Sequence, residues 1–175
     1  SNWGKNRLYR NDDGQFVNVA EIYSLESDSL SNGAGWGDFN NDGFQDIFTT
    51  STDLETNVTY YVSDGNGGYQ DKTHEAGLDG ITGGSHCTQA DYDNDGDLDL
   101  YITGYVDFSR RPKFTSLRFP MDFGGLPNTL YRNNGDGTFS NVTASTGVLD
   151  DASRKSMQAL FNDCLLYTSD AADDM

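Results

Sequence analysis

The sequence is poor in basic residues and long apolar runs, and both shortages exclude classes of protein. Eleven lysines and arginines stand against 28 aspartates and glutamates, so the formal net charge is −17. A surface with this charge repels nucleic-acid phosphates and anionic lipid headgroups, which argues against both as partners. No apolar run approaches the length of a transmembrane helix, so we also expect no membrane insertion.

Cysteine and histidine are scarce as well, with two residues of each kind. Cys164 falls in an atypical C-terminal stretch, which leaves Cys87 alone, so no disulfide framework is expected. Cys87 occupies the place of Ala34 in an internal repeat, and we interpret it as a core residue. His74 and His86 have no triad-like or metal-spaced neighbours, and no nucleophile or phosphate-loop motif is present. The sequence predicts no catalytic residue.

Aromatic residues and glycine are abundant by contrast. Ten tyrosines, ten phenylalanines and two tryptophans separate this chain from disordered acidic proteins. Twenty glycines with few helix-like periods indicate many turns and short strands. We therefore expect an all-β fold.

Residues 91–99, called loop 2 below, hold five carboxylates in nine residues. Carboxylates this dense repel one another unless a cation neutralises them. Their spacing is that of a calcium loop, with Gly96 at the sharp turn. Hard oxygen ligands favour Ca²⁺ over zinc or copper, and Mg²⁺ prefers to keep its waters. The predicted ligands are the side chains of Asp91, Asp93, Asp95 and Asp99 and the backbone carbonyl of Asp97.

Residues 38–46, called loop 1 below, match the same pattern position for position. Asn40 replaces a carboxylate here, so we expect weaker binding. Asp, Asn and Gly also dominate plain turns, but two matches in equivalent contexts favour the metal interpretation. The predicted ligands are the side chains of Asp38, Asn40, Asp42 and Asp46 and the backbone carbonyl of Phe44.

The residues after each loop distinguish these sites from EF-hands. An EF-hand needs a glutamate at position 12 and a helix after the loop. Position 12 is Thr49 in loop 1 and Ile102 in loop 2. The β-branched and aromatic residues around these positions are typical of strands, so we predict strand–loop–strand sites.

The chain also repeats a hairpin pattern, at residues 8–19, 60–73 and 130–143. Each hairpin has an Asn/Asp/Gly turn, which we interpret as a plain turn, although its acids could also hold a cation. Residues 107–127 form an insertion that carries all three prolines and the only basic patch. Either it carries function or it is a packed surface loop, and the sequence leaves both interpretations open. Residues 164–174 resemble the translation of a sequencing adapter, so we expect residues 164–175 to be an artefactual tail.

Residues 36–43 and loop 2 resemble the FG-GAP/VCBS repeats of integrin-alpha-like β-propellers. Residues 130–139 are similar to the propellers of secreted cartilage-acidic-protein and UnbV-like proteins. The resemblance implies a fragment of a β-propeller with four-stranded antiparallel blades, in which calcium loops join the first and second strands. It places a partial propeller at residues 1–163. Its expected parts are an outer hairpin at 7–19, complete blades at 33–73 and 86–143, and the start of another blade at 157–163.

The function that this resemblance implies is a non-enzymatic module for adhesion or for binding a protein or glycan. Its calcium would be structural, and its location extracellular, periplasmic or at the cell surface. The alternative is the propeller part of a secreted polysaccharide-degrading enzyme whose catalytic residues lie elsewhere. Every carboxylate cluster here is already assigned to metal, which favours the binding module.

Overall fold

The fold is all-β, as the sequence predicts. A computed structural model describes residues 5–26, 31–52, 58–109, 118–149 and 154–162. Apart from one helical turn, α1, the regular elements of these residues are strands. The strands are β1 (Tyr9–Asp12), β2 (Gln15–Asn18), β3 (Ser31–Gly37), β4 (Asp46–Ser51), β5 (Thr59–Ser63), β6 (Tyr69–Asp71), β7 (Gly84–Ala90), β8 (Asp99–Gly104), β9 (Thr129–Asn133) and β10 (Phe139–Asn141), and α1 spans Thr143–Thr146.

The strands form one two-stranded hairpin and two four-stranded antiparallel sheets. Strands β3–β6 make sheet I and β7–β10 make sheet II, each with its strands in chain order, while β1 pairs with β2. Gly37 pairs with Asp46 in sheet I, and Ala90 pairs with Asp99 in sheet II. Loops 1 and 2 therefore join the first and second strands of their sheets, which confirms the predicted strand–loop–strand arrangement.

The bounds differ slightly from the predicted ones. The first strand of sheet I begins at Ser31 and that of sheet II at Gly84, each two residues before the predicted start. Residues 157–162 form no strand, although the Ser156 amide donates to the Gly104 carbonyl at 3.0 Å. Asp163 and the adapter-like tail lie outside the described residues.

The core lies where the two sheets face each other. Aromatic rings from both sheets meet there: Phe39 lies edge-on to Phe48 at 4.8 Å between ring centroids and to Phe139 at 6.1 Å. Sheet II approaches closely because β3 presents glycines to it. A Cβ on Gly35 would lie 3.2 Å from the Cys87 sulfur. Cys87 is a free, buried thiol whose pKa is raised by burial to about 12, so it is a core residue as expected.

The insertion leaves sheet II at Gly104, the end of β8 away from loop 2. Its base is tied together, because the Asp107 amide donates to the Gly124 carbonyl at 2.9 Å. Phe119 stacks near Phe108 at 6.2 Å and packs edge-on against Phe123 at 5.7 Å. Most of the basic patch, residues 110–117, lies outside the part of the chain that the structure describes. No helix within the described ranges is long and apolar enough to span a bilayer.

Candidate metal centre

Loop 2 brings three of its predicted ligands together. One carboxylate oxygen from each of Asp91, Asp93 and Asp99 lies within 4.8 Å of the other two. The side chains of the other two acids make different contacts. Asp95 accepts the Asp97 amide at 3.0 Å, and Asp97 accepts the Asn41 carboxamide of loop 1 at 2.6 Å. The engagement of the Asp97 side chain is compatible with the prediction that this residue acts through its backbone carbonyl.

The two loops share one backbone conformation. In loop 2, Asp91 accepts the amides of Asp95 at 3.1 Å and Gly96 at 3.0 Å. In loop 1, Asp38 accepts the equivalent amides, those of Asp42 at 3.0 Å and Gly43 at 2.8 Å. The fourth and sixth residues are left-handed in both loops, with φ values of 55° and 88° in loop 1 and 60° and 97° in loop 2. The repeated sequence pattern thus produces a repeated local structure.

The ninth residue anchors loop 2 to its sheet. Asp99 has no solvent exposure and accepts the Tyr92 amide at 3.0 Å and the Asn133 amide at 2.8 Å, one on each oxygen. Burial raises the pKa of Asp99, and the nearby charges of Asp93 and Asp95 raise it further against these hydrogen bonds. A carboxylate in this setting favours a neighbouring cation.

The equivalent residue of loop 1 has one more donor. Asp46 is also fully buried, and it accepts the Phe39 amide at 3.2 Å, the Ser63 amide at 2.9 Å and the Tyr60 hydroxyl at 3.0 Å. Burial is the main cause that raises the pKa of Asp46. The residue that corresponds to Tyr60 in sheet II is Leu130, which has no hydroxyl to donate.

These donor sets decide how well a cation fits each loop. Loop 2 offers three clustered carboxylates, and each Asp99 oxygen keeps a lone pair beyond its single backbone hydrogen bond. Loop 1 offers Asn40 in place of one carboxylate, and the side-chain carboxamide of Asn40 donates to the Asp42 carboxylate at 2.9 Å. Among the described residues, Asp38, Asp42 and Asp46 do not form a comparable group of three. The residues of loop 2 fit a hard divalent cation, and those of loop 1 fit it less well.

Two asparagines and a tyrosine shape these loops without having been predicted from the sequence. Asn133 is 1% exposed, and its carboxamide reaches the backbone of both loops. Its signal in the sequence is the recurrence of Tyr-Arg-Asn, with Asn11 at the same place in the first hairpin. Asn41 recurs as Asn94 at the fourth position of loop 2, but no local spacing in the sequence indicates its contact with Asp97 or the contact of Tyr60 with Asp46.

His74 is the one histidine with a charged partner among the described residues. Its Nδ1 lies 2.5 Å from an Asp79 oxygen, on the exposed connection between the sheets. The hydrogen bond with Asp79 raises the pKa of His74. The pair lies in the connection that follows β6, outside both loops, and we assign it no part in the metal centre.

The fold and loops define a class of protein: an all-β repeat module in which acidic turns join the first two strands of successive antiparallel sheets. The model of the FG-GAP-like repeat family matches residues 1–49 and again residues 38–102. Together these matches cover residues 1–102, more than half of the chain. The chain therefore belongs to the FG-GAP-like repeat family. No curated protein sequence matches it.

Proposed function

We propose that the chain is a calcium-binding propeller module of an extracellular or cell-surface protein, in which Ca²⁺ is structural. The observation that carries this proposal is the group of carboxylate oxygens from Asp91, Asp93 and Asp99 within 4.8 Å at the turn between β7 and β8. Two cations are proposed, one in each loop. The ligands are those predicted above: Asp38, Asn40, Asp42, Phe44 and Asp46 in loop 1, and Asp91, Asp93, Asp95, Asp97 and Asp99 in loop 2.

Charge explains why loop 2 needs a cation. Like charges held this close raise one another's pKa and oppose folding unless a counter-ion is present. Calcium takes six to eight oxygen ligands in flexible geometry, whereas Mg²⁺ demands a near-ideal octahedron and keeps its waters. Extracellular modules bind Ca²⁺ at roughly 10⁻⁴–10⁻³ M, which suits a calcium-rich exterior. The proposed location rests on the resemblance to secreted propellers, and an affinity in this range is what we expect there.

The role proposed for the module is to bind a protein or glycan rather than to catalyse a reaction. Membership of the FG-GAP-like repeat family supports this role, because that repeat is a structural and non-catalytic one. The insertion offers a surface for such a partner, since Phe119 is 56% exposed and Met121 is 75% exposed. We further propose that the chain is related to the secreted cartilage-acidic-protein and UnbV-like propellers, because the hairpin at residues 130–139 resembles theirs. We also propose that sheets I and II are successive blades of the propeller.

Calorimetric titration of the chain with Ca²⁺ tests the metal proposal. We expect two sites at sub-millimolar to millimolar concentration, of which loop 2 is the tighter, and much weaker binding of Mg²⁺. Asp93→Ala should abolish the tighter site. Asp136→Ala is the matched control, because Asp136 is an acid in a hairpin turn that contacts Thr138 and lies outside both loops. Absence of binding at millimolar Ca²⁺ would overturn the proposal.

A further inference from the structure

Two asparagines connect the proposed cation sites, and this inference rests on the calcium-binding function proposed above. We propose that Asn133 and Asn41 are positioning residues that couple loop 1 to loop 2, so that a cation in one loop raises the affinity of the other. The coupling passes through hydrogen bonds to the backbone and side chains of the loops. Neither asparagine is a predicted ligand of either cation.

Asn133 reaches both loops with one carboxamide. Its Nδ2 donates to the Phe39 carbonyl at 2.7 Å and to the Leu98 carbonyl at 3.1 Å. Phe39 comes directly after Asp38, the first predicted ligand of loop 1. Leu98 lies between the last two predicted ligands of loop 2. A single planar group thus fixes the peptide units that carry ligands of both sites.

The remaining polar groups of Asn133 are also engaged. Its amide donates to Asp99 at 2.8 Å, and its Oδ1 accepts the Gly135 amide at 3.1 Å. The side chain is 1% exposed, so little water competes for these bonds. Hydrogen bonds in such a buried network strengthen one another, and a buried polar group left without a partner is costly. Asn133 therefore has one favourable orientation, which both loops must match.

Asn41 provides a second connection on the exposed side of the loops. Its Nδ2 donates to Asp97 Oδ1 at 2.6 Å. Asn41 is the left-handed fourth residue of loop 1, with φ of 55°. Asp97 is the seventh residue of loop 2, whose carbonyl is a predicted ligand. This bond joins the tip of loop 1 to the side chain of a loop 2 residue whose backbone carbonyl is a predicted ligand.

Coupling arises because ordering one loop lowers the cost of ordering the other. A cation in loop 2 fixes residues 97–99, which fixes the Asn133 carboxamide and through it the Phe39 peptide of loop 1. Binding of the second cation then costs the chain less conformational entropy. Thermodynamic linkage makes the effect reciprocal, and couplings of this kind typically change affinity about 5- to 150-fold.

Sheet I contains the matching residue without the coupling group. Ser63 ends β5 as Asn133 ends β9, and its amide donates to Asp46 at 2.9 Å. Its Oγ accepts the Gly65 amide at 3.2 Å, as Asn133 Oδ1 accepts that of Gly135. Serine keeps the contact with the turn, but it lacks the carboxamide Nδ2 that donates to the Phe39 and Leu98 carbonyls. Asn133→Ser therefore copies a residue that the fold already uses at this place.

The test measures the Ca²⁺ affinity of loop 1 with loop 2 intact and with loop 2 disabled by Asp93→Ala, at a temperature at which the amide signals of β7 and β8 show that sheet II remains folded in both. Amide NMR signals of residues 41–43 report loop 1, and those of residues 94–96 report loop 2. In the otherwise native chain, we expect Asp93→Ala to weaken calcium binding at loop 1 about 5-fold or more. In the Asn133→Ser background, the same change should leave the affinity of loop 1 within about 2-fold.

Two further variants complete the design. Asn41→Ala removes only the exposed connection and should reduce the coupling partly, which keeps the test decisive if Asn133→Ser fails to fold. Asn134→Ser is the control, because this neighbouring residue contacts Thr138 and Ser140 within its own hairpin. It should leave the coupling unchanged.

The outcomes separate this inference from the function on which it rests. If neither loop responds to millimolar Ca²⁺, the calcium-binding function is wrong and the inference falls with it. If both loops bind but Asp93→Ala leaves loop 1 unchanged, the function stands and the coupling is wrong. Coupling that persists undiminished in both asparagine variants would overturn the role assigned to Asn133 and Asn41.

Discussion

The hydroxyl of Tyr60 donates a hydrogen bond of 3.0 Å to Asp46, a carboxylate with no solvent exposure. The tyrosine ring is itself buried and stacks on Phe48 at 4.4 Å between ring centroids. Burial and the charge of Asp46 both raise the pKa of Tyr60, so the hydroxyl remains a donor. The Tyr60 side chain thus packs in the core between the sheets and also donates a hydrogen bond to the buried last residue of loop 1.

Tyr60→Phe should destabilise the chain while it preserves the aromatic packing. Hydrogen bonds to charged groups contribute about 1.5–3 kcal/mol, and Asp46 keeps two backbone donors, so we expect a loss near the lower end. Urea denaturation at pH 7 measures the effect. Tyr69→Phe is the control, because that hydroxyl is exposed and makes a long 3.3 Å contact with the Gln45 carbonyl. Equal losses in the two variants would contradict the role given to Tyr60.

Asp93→Ala should remove the stabilisation that the proposed calcium ion gives to loop 2. A ligand at 100 times its dissociation constant stabilises a protein by about 2.7 kcal/mol, and the variant forfeits this linkage. Asp93→Asn should be milder, since Asn40 occupies the equivalent position in loop 1. Thermal melting in saturating Ca²⁺ should rank the native chain first, Asp93→Asn second and Asp93→Ala third. A melting temperature of Asp93→Ala equal to the native one would remove Asp93 from the ligand set.

Chelation should unfold sheet II rather than empty a rigid site. The acids of loop 2 repel one another without a counter-ion, and β7 and β8 pair on either side of them, so metal binding and folding form one equilibrium. We expect excess chelator to lower the melting temperature and reduce the far-ultraviolet dichroism of strands, and Ca²⁺ to restore both. A melting curve that chelator leaves unchanged would show that the loops are not structural metal sites.

Gly33→Ala should weaken the packing between the two sheets. A Cβ there would lie 2.6 Å from Thr50 Oγ1 and 3.0 Å from the backbone Cα of His86, so sheet II would have to move. Overpacking of this kind costs about 1–3 kcal/mol. Gly124→Ala is the matched control, because its nearest contact would be an ordinary 3.8 Å. Denaturant unfolding should show a clear loss for the first variant and a small change for the second.

The His74–Asp79 pair predicts a small pH dependence of a definite sign. Its hydrogen bond raises the pKa of His74 above the unfolded value of about 6.5. Its contribution is therefore complete below that value and is lost as the pH rises through the folded pKa. The stability difference between the native chain and His74→Gln should shrink from pH 5.5 to pH 8.5. High salt should reduce it, since the pair is exposed. A difference that grows with pH would contradict this assignment.

The repeated parts of this structure were predictable because the chemistry is local. Nine consecutive residues determine each acidic loop, and the strand character of β4 and β8 is visible in their β-branched and aromatic residues. Gly43 and Gly96 follow from the same logic, since both adopt positive φ at the sharp turn. For the acidic loops and the strands that follow them, the local sequence is therefore enough to predict the structure.

The connections between loops were not predictable, because they depend on how two sheets meet. The Asn133 carboxamide and the Phe39 carbonyl are 94 residues apart in the chain. The Asn41–Asp97 contact spans 56 residues. Neither contact has a spacing rule, since each results from the approach of sheet II to the glycines of β3.

The insertion leaves its sheet at the far end of β8, where Gly104 lies five residues after Asp99, the last residue of loop 2. At about 3.3 Å per residue, this strand separates the two by roughly 16 Å. The end of the sheet at the acidic turn therefore holds the strands together, while the other end can vary in length and composition without disturbing the proposed cation site. A scaffold built in this way suits loop grafting: residues 107–127 could be exchanged for foreign recognition segments while the acidic turns continue to hold the strands.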